Sequence, residues 1–88
     1  MNNDRRKTQK AVIHSIQTMK GLANTAQKQI EEIYDGENDL LDALEDWSGT
    51  KRYQTIDNNV DLLQSLVEEA NDLVDLLEHM LEELREIA

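Results

Sequence analysis

The sequence predicts an all-α fold, a long antiparallel helical hairpin, and three observations carry that prediction. Of 88 residues none is proline and three are glycine, so little interrupts a helix. Apolar residues recur every three or four positions along almost the whole chain. Those positions are also mirror images about Thr50. Val12, Ile16, Met19, Ala23, Ala26, Ile30, Ile33, Leu40 and Leu44 reflect onto Ala88, Leu84, Leu81, Leu77, Val74, Ala70, Val67, Val60 and Ile56. A chain folded back at Thr50 sets these pairs face to face, as in an antiparallel coiled-coil hairpin.

The first helix is expected over about residues 5–46 after a polar lead. Its middle is small, at Ala23 and Ala26, where the mirror register places Leu77 and Val74, and large residues opposite small ones let two helices approach closely. The pattern falters only at Asp35-Gly36-Glu37-Asn38-Asp39, where a charged Glu37 takes a core position and Asp-Gly reads as a local turn. Ile33 and Leu40 nevertheless keep the heptad phase, which favours one helix kinked near Gly36 over two separate helices. Residues 47–50 form the turn. Gly49 is expected to end the first helix in the left-handed conformation, and Ser48 or Thr50 to cap the second. The second helix runs over about residues 51–87. Beside its seam it carries a further apolar column at Leu66, Leu73, Met80 and Ile87, with Leu62 and Leu76 adjoining. One partner helix cannot cover so wide a face, so hairpins are expected to associate as a homo-dimer or higher oligomer, most simply a four-helix bundle.

Composition narrows the function. The chain has no cysteine, which excludes disulfides and thiolate zinc sites. It has no apolar run long enough to span a membrane and no secretory pattern at its start, so a cytoplasmic protein is expected, without a membrane partner. The net charge of −10 is divided unevenly: residues 1–28 hold six cations against Asp4, whereas residues 29–88 hold three cations against eighteen acids. Folding back brings the basic start of the first helix beside Glu78, Glu82, Glu83 and Glu86. Four cations near the start, beside so many acids, make a poor phosphate track, so direct nucleic-acid binding is not expected.

No constellation for catalysis is present. His14 and His79 stand at no metal-ligand spacing, the acidic pairs such as Glu31-Glu32 and Glu68-Glu69 face outward, and Ser and Thr have no companion base. The expectation is a non-enzyme without catalytic residues, metal or cofactor. Partner-binding candidates are Glu37 at the weak point of the seam and Trp47, Lys51, Arg52 and Tyr53 at the tip, an aromatic and cationic cluster of the residue types that dominate binding hot spots.

Two resemblances centre on this tip. Trp47-Ser48-Gly49 resembles the Trp-x-Gly signature at the turn of the small helical-hairpin substrates of type VII secretion, which implies an exported, dimeric hairpin; the Tyr-x-x-x-acid export signal of those proteins has no counterpart after Tyr53. The stretch from Leu41 through Tyr53, followed by Val60-Asp61-Leu62-Leu63 and an acidic Leu-rich repeat, resembles a group of small acidic hairpin proteins of phages and prophages. Their turn usually reads Pro-Glu-Asn-Leu-Gln-Gly-Ser-Glu-Arg-Tyr, and Gly49, Arg52 and Tyr53 match it. That resemblance implies a phage-encoded accessory protein acting by occupying a host protein. The leading expectation is therefore an inhibitor of a host defence or nucleic-acid-handling protein, working through an acidic helical surface. Two alternatives stand beside it: an oligomer sequestering a small anionic, nucleotide-like signal near Lys51, Arg52 and Tyr53 or near Arg5, Arg6 and Lys10, and a secreted Trp-x-Gly-like hairpin.

Overall fold

Two helices, each longer than thirty residues, account for nearly all of the chain in the computed structural model, which describes residues 2–88. Helix α1 spans Asn3–Ala43, a 3-10 turn spans Glu45–Trp47, and α2 spans Lys51–Glu86. They lie antiparallel in a rod 67 Å long and 15 by 14 Å across. No helix of the described residues is long and apolar enough to cross a membrane.

Local chemistry sets each end. Asn2 opens α1, its side-chain oxygen accepting from the Arg5 N–H at 2.9 Å and so satisfying one of the free donors of the first turn. The helix then runs unbroken through Gly36. It closes three residues earlier than the sequence predicts, at Leu44, whose N–H reaches the carbonyls of Leu40 and Leu41 at 3.1 Å each. Two further tight turns follow, Trp47 N–H to Leu44 O at 2.8 Å and Thr50 N–H to Trp47 O at 2.9 Å. Gly49 is not left-handed, because no glycine in the chain has a positive φ. A succession of right-handed turns reverses the chain without one. Thr50 is the hinge of the reversal: its hydroxyl donates to Trp47 O at 2.7 Å and accepts from the Tyr53 N–H at 3.2 Å, capping α2.

The seam of α2 is the expected one, from Ile56 through Val60, Leu63, Val67, Ala70, Val74, Leu77 and Leu81 to Leu84, joined by Tyr53; Ala88 lies past the helix and exposed. The seam of α1 differs from expectation at every second position. Ile16, Ala23, Ile30 and Leu44 face α2 as predicted, but Val12, Met19, Ala26, Ile33 and Leu40 are exposed. Their places are taken by the next residue along: Ile13, Lys20, Gln27, Tyr34 and Leu41. Helix α1 is thus turned relative to the mirror register, and Leu77 and Val74 gather around Ala23 while Ala26 stays outside.

Polar partners explain the turn. Lys20 Nζ reaches Glu78 at 3.1 Å, Gln27 donates to Asn71, and Gln9 donates from Nε2 to the carbonyls of Leu84 and Ile87. The Gln9 amide thereby serves carbonyls at the end of α2 that have no partner within their own helix. The core that results is thin. Among the described residues six hydrophobic side chains are buried, four of them in one cluster of Ile16, Ala23, Leu77 and Leu81 toward the open end, with Ile56 and Val60 toward the turn.

Candidate interaction surfaces

Turning α1 gives the hairpin two unlike sides. On one side the columns flanking the seam are wholly polar: Lys10, Gln17, Asn24, Glu31 and Asn38 on α1, and Asp57, Gln64, Asn71, Glu78 and Arg85 on α2. The Lys20–Glu78 and Gln27–Asn71 contacts bridge this side.

The opposite side is apolar over most of the rod. Val12, Met19 and Ile33 of α1 fall level with Ile87, Met80 and Leu66 of α2, Ala26 with Leu73, and Leu40 with Asn59; the large apolar residues among them are 37 to 55% exposed. Leu62 and Leu76 extend the strip outward. Two shallow hollows show that the columns of the two helices meet. Val12, Met80, Leu84 and Ile87 line one of about 250 Å³, and Ile33, Glu37, Leu62 and Leu66 line another of about 260 Å³. All six residues expected at an oligomer interface, Leu62, Leu66, Leu73, Leu76, Met80 and Ile87, are exposed in the single hairpin. Periodicity alone places the α1 half of the strip in the seam, and the structure sets it outside.

The tip residues separate. Trp47 is 64% exposed and shares a hollow of about 230 Å³ with Leu44, Thr50 and Arg52. Tyr53 is half-buried at the head of the α2 seam, and Lys51 is exposed. Glu37 belongs to neither group. It sits half-buried in the seam at the edge of the apolar strip, and its Oε2 has no hydrogen-bond partner among the described residues.

At the open end Arg6 and Lys10 of α1 meet Arg85 of α2 around a hollow of about 320 Å³, with Gln9 and Ile13 below them. Arg85 went unmarked in the sequence because only the hairpin register brings it to the two N-terminal cations. The acids lie outside: seventeen of the nineteen are exposed, Glu31 and Glu37 being half-buried. Among the described residues Glu78 is the one acid in an ion pair, with Lys20, so the basic start and acidic end of the hairpin lie alongside each other with one direct bridge. His14 and His79 are both exposed. No group of three or more potential ligand side chains is gathered for a metal among the described residues.

Comparison with protein families, curated proteins and solved structures finds no match to this chain. The arrangement itself offers open, shallow surfaces and charged faces. Such surfaces suit binding to a macromolecule, since small-molecule sites are as a rule concave and enclose most of their ligand.

Proposed function

We propose that this hairpin is a non-enzymatic protein-binding module that acts in the host cytoplasm by laying its acidic face in the basic channel of a defence or nucleic-acid-handling protein. One observation supports it above the rest: seventeen of the nineteen acids are exposed and, Glu78 excepted, none has an ion partner among the described residues. Charge left unpaired on a narrow rod is available to a partner, and its summed field steers a basic surface toward it. The excess is concentrated toward the turn, where residues 26–71 carry twelve acids against three cations. The acids take the place of phosphates, and the resemblance of the tip to phage hairpin proteins fits an inhibitor of this kind. Trp47 and Arg52, exposed around one hollow at the turn, supply the aromatic and cationic anchor that charge alone does not.

The test is capture of the tagged chain's partners from host lysate at low and at high salt. A single stoichiometric protein, retained at low ionic strength and released at high, is the expected result, because screening shortens the reach of exposed charges. A partner held equally at both would remove the electrostatic basis of the proposal.

The open end favours a second reading. Arg6, Lys10 and Arg85 around one hollow form the kind of cationic cluster a small anion would use, which fits the sequestering alternative at one of its two expected places. Thermal stabilisation by millimolar nucleotide, lost in Arg85→Ala, would support that reading, and no shift would remove it.

A further inference from the structure

We infer that the apolar side of the hairpin is covered by a second copy of the same chain lying antiparallel to the first, with the two turns at opposite ends of a four-helix bundle. This does not depend on the acidic face having a host partner.

The apolar arcs locate the surface. In both helices the arc is wider than the hairpin seam and overhangs it on the same side, while the opposite flank is polar throughout. A helix that packs on two neighbours carries its apolar arc between them; one that packs on a single neighbour has it centred on the seam. Area agrees. A side 67 Å long and 15 Å wide presents about 1,000 Å², and a stable dimer covers about 800 Å² on each partner. The thin core of the single hairpin leaves room for this additional burial.

Sequence symmetry sets the direction. A two-fold axis across the rod places α1 on α1 of the other copy and α2 on α2, running oppositely. Most of the apolar residues that would then meet are matched, Ile87 opposite Asn59 being the exception. About Ala26, Val12 reflects onto Leu40 and Met19 onto Ile33; about Leu73, Leu66 reflects onto Met80. Ala26 and Leu73 lie at nearly the same level of the hairpin, since Gln27 is bonded to Asn71.

The alternative axis, along the rod, sets turn beside turn. It would bring together two halves that each hold twelve acids against three cations. The crossed arrangement instead pairs each such half with residues 1–25 and 72–88, which hold seven acids against six cations. Like charge side by side costs affinity and complementary charge fixes register, so the crossed arrangement is selected.

Single cysteines distinguish the two, because the native chain has none. Ala26→Cys and Leu73→Cys are both at exposed positions of the hairpin, so neither disturbs the core. In the crossed dimer each variant, oxidised alone at micromolar concentration, forms a covalent homodimer. An equimolar mixture gives few mixed species. With turn beside turn, α1 faces α2 of the other copy, so the mixture cross-links to the mixed dimer and neither variant links to itself. That outcome overturns the orientation. Absence of any disulfide-linked dimer, with the chain sedimenting as a monomer, overturns the second copy as occupant and assigns the side to a different partner.

Discussion

Among the described residues Glu37 is the one side chain with a buried polar atom that the hairpin leaves unpaired. It occupies a seam position between Tyr34 and Leu41, and one of its carboxylate oxygens is buried without a hydrogen bond among the described residues. A buried polar atom left unsatisfied costs roughly 1–3 kcal/mol, whereas an apolar side chain of similar size at the same place costs nothing of the kind. Glu37→Leu is therefore expected to raise stability by about 1 kcal/mol or more in urea or thermal unfolding followed by circular dichroism. A destabilised variant would mean that the carboxylate has a partner that matters to the fold. Lys20 and Gln27 are seam residues of another kind, for each has a polar mate on α2. The Lys20–Glu78 pair is partly exposed, and such bridges contribute less than about 1 kcal/mol, so its role is to set the rotation of α1 more than to hold the helices together.

The turn depends on Thr50, which uses both hydrogen-bonding capacities of its hydroxyl to close the 3-10 turn and to cap α2. Thr50→Ala is expected to cost about 1 kcal/mol of unfolding free energy, and an unchanged midpoint would show that the turn is held by its backbone bonds alone. Helix α2 was legible in the sequence because its seam is apolar at every position from Ile56 to Leu84, whereas the neighbouring column of Leu66, Leu73, Met80 and Ile87 is interrupted at Arg52 and Asn59. Helix α1 was legible as a helix but not in its rotation. There the column that faces α2 reads Ile13, Lys20, Gln27, Tyr34 and Leu41, while the more apolar column of Val12, Met19, Ala26, Ile33 and Leu40 lies beside it. Counting apolar residues favours the second column, and only the mates Glu78 and Asn71, far along the chain, reveal the first. The same limit hid Arg85 from the cationic hollow, whereas the exposed leucine column of α2 could be read directly because one seam plainly could not absorb it.

As a whole the molecule is a thin rod with unlike sides, and that asymmetry links its stability to its proposed action. The apolar strip is too long and continuous to be the scattered exposure ordinary on protein surfaces. Covering it with a second copy leaves the acidic faces outermost, doubling the charge offered to a basic partner while keeping the two most acidic halves at opposite ends. The most direct measurement is sedimentation of the native chain and of Leu66→Lys/Leu73→Lys at about ten micromolar, each also followed by circular dichroism. Both substituted residues are exposed in the single hairpin, so the variant keeps its helices. The native chain is expected at twice its 10.2 kDa mass and the variant at 10.2 kDa. A native chain that sediments as a 10.2 kDa monomer, or a variant that remains paired, would contradict the assignment of the apolar strip to a second copy.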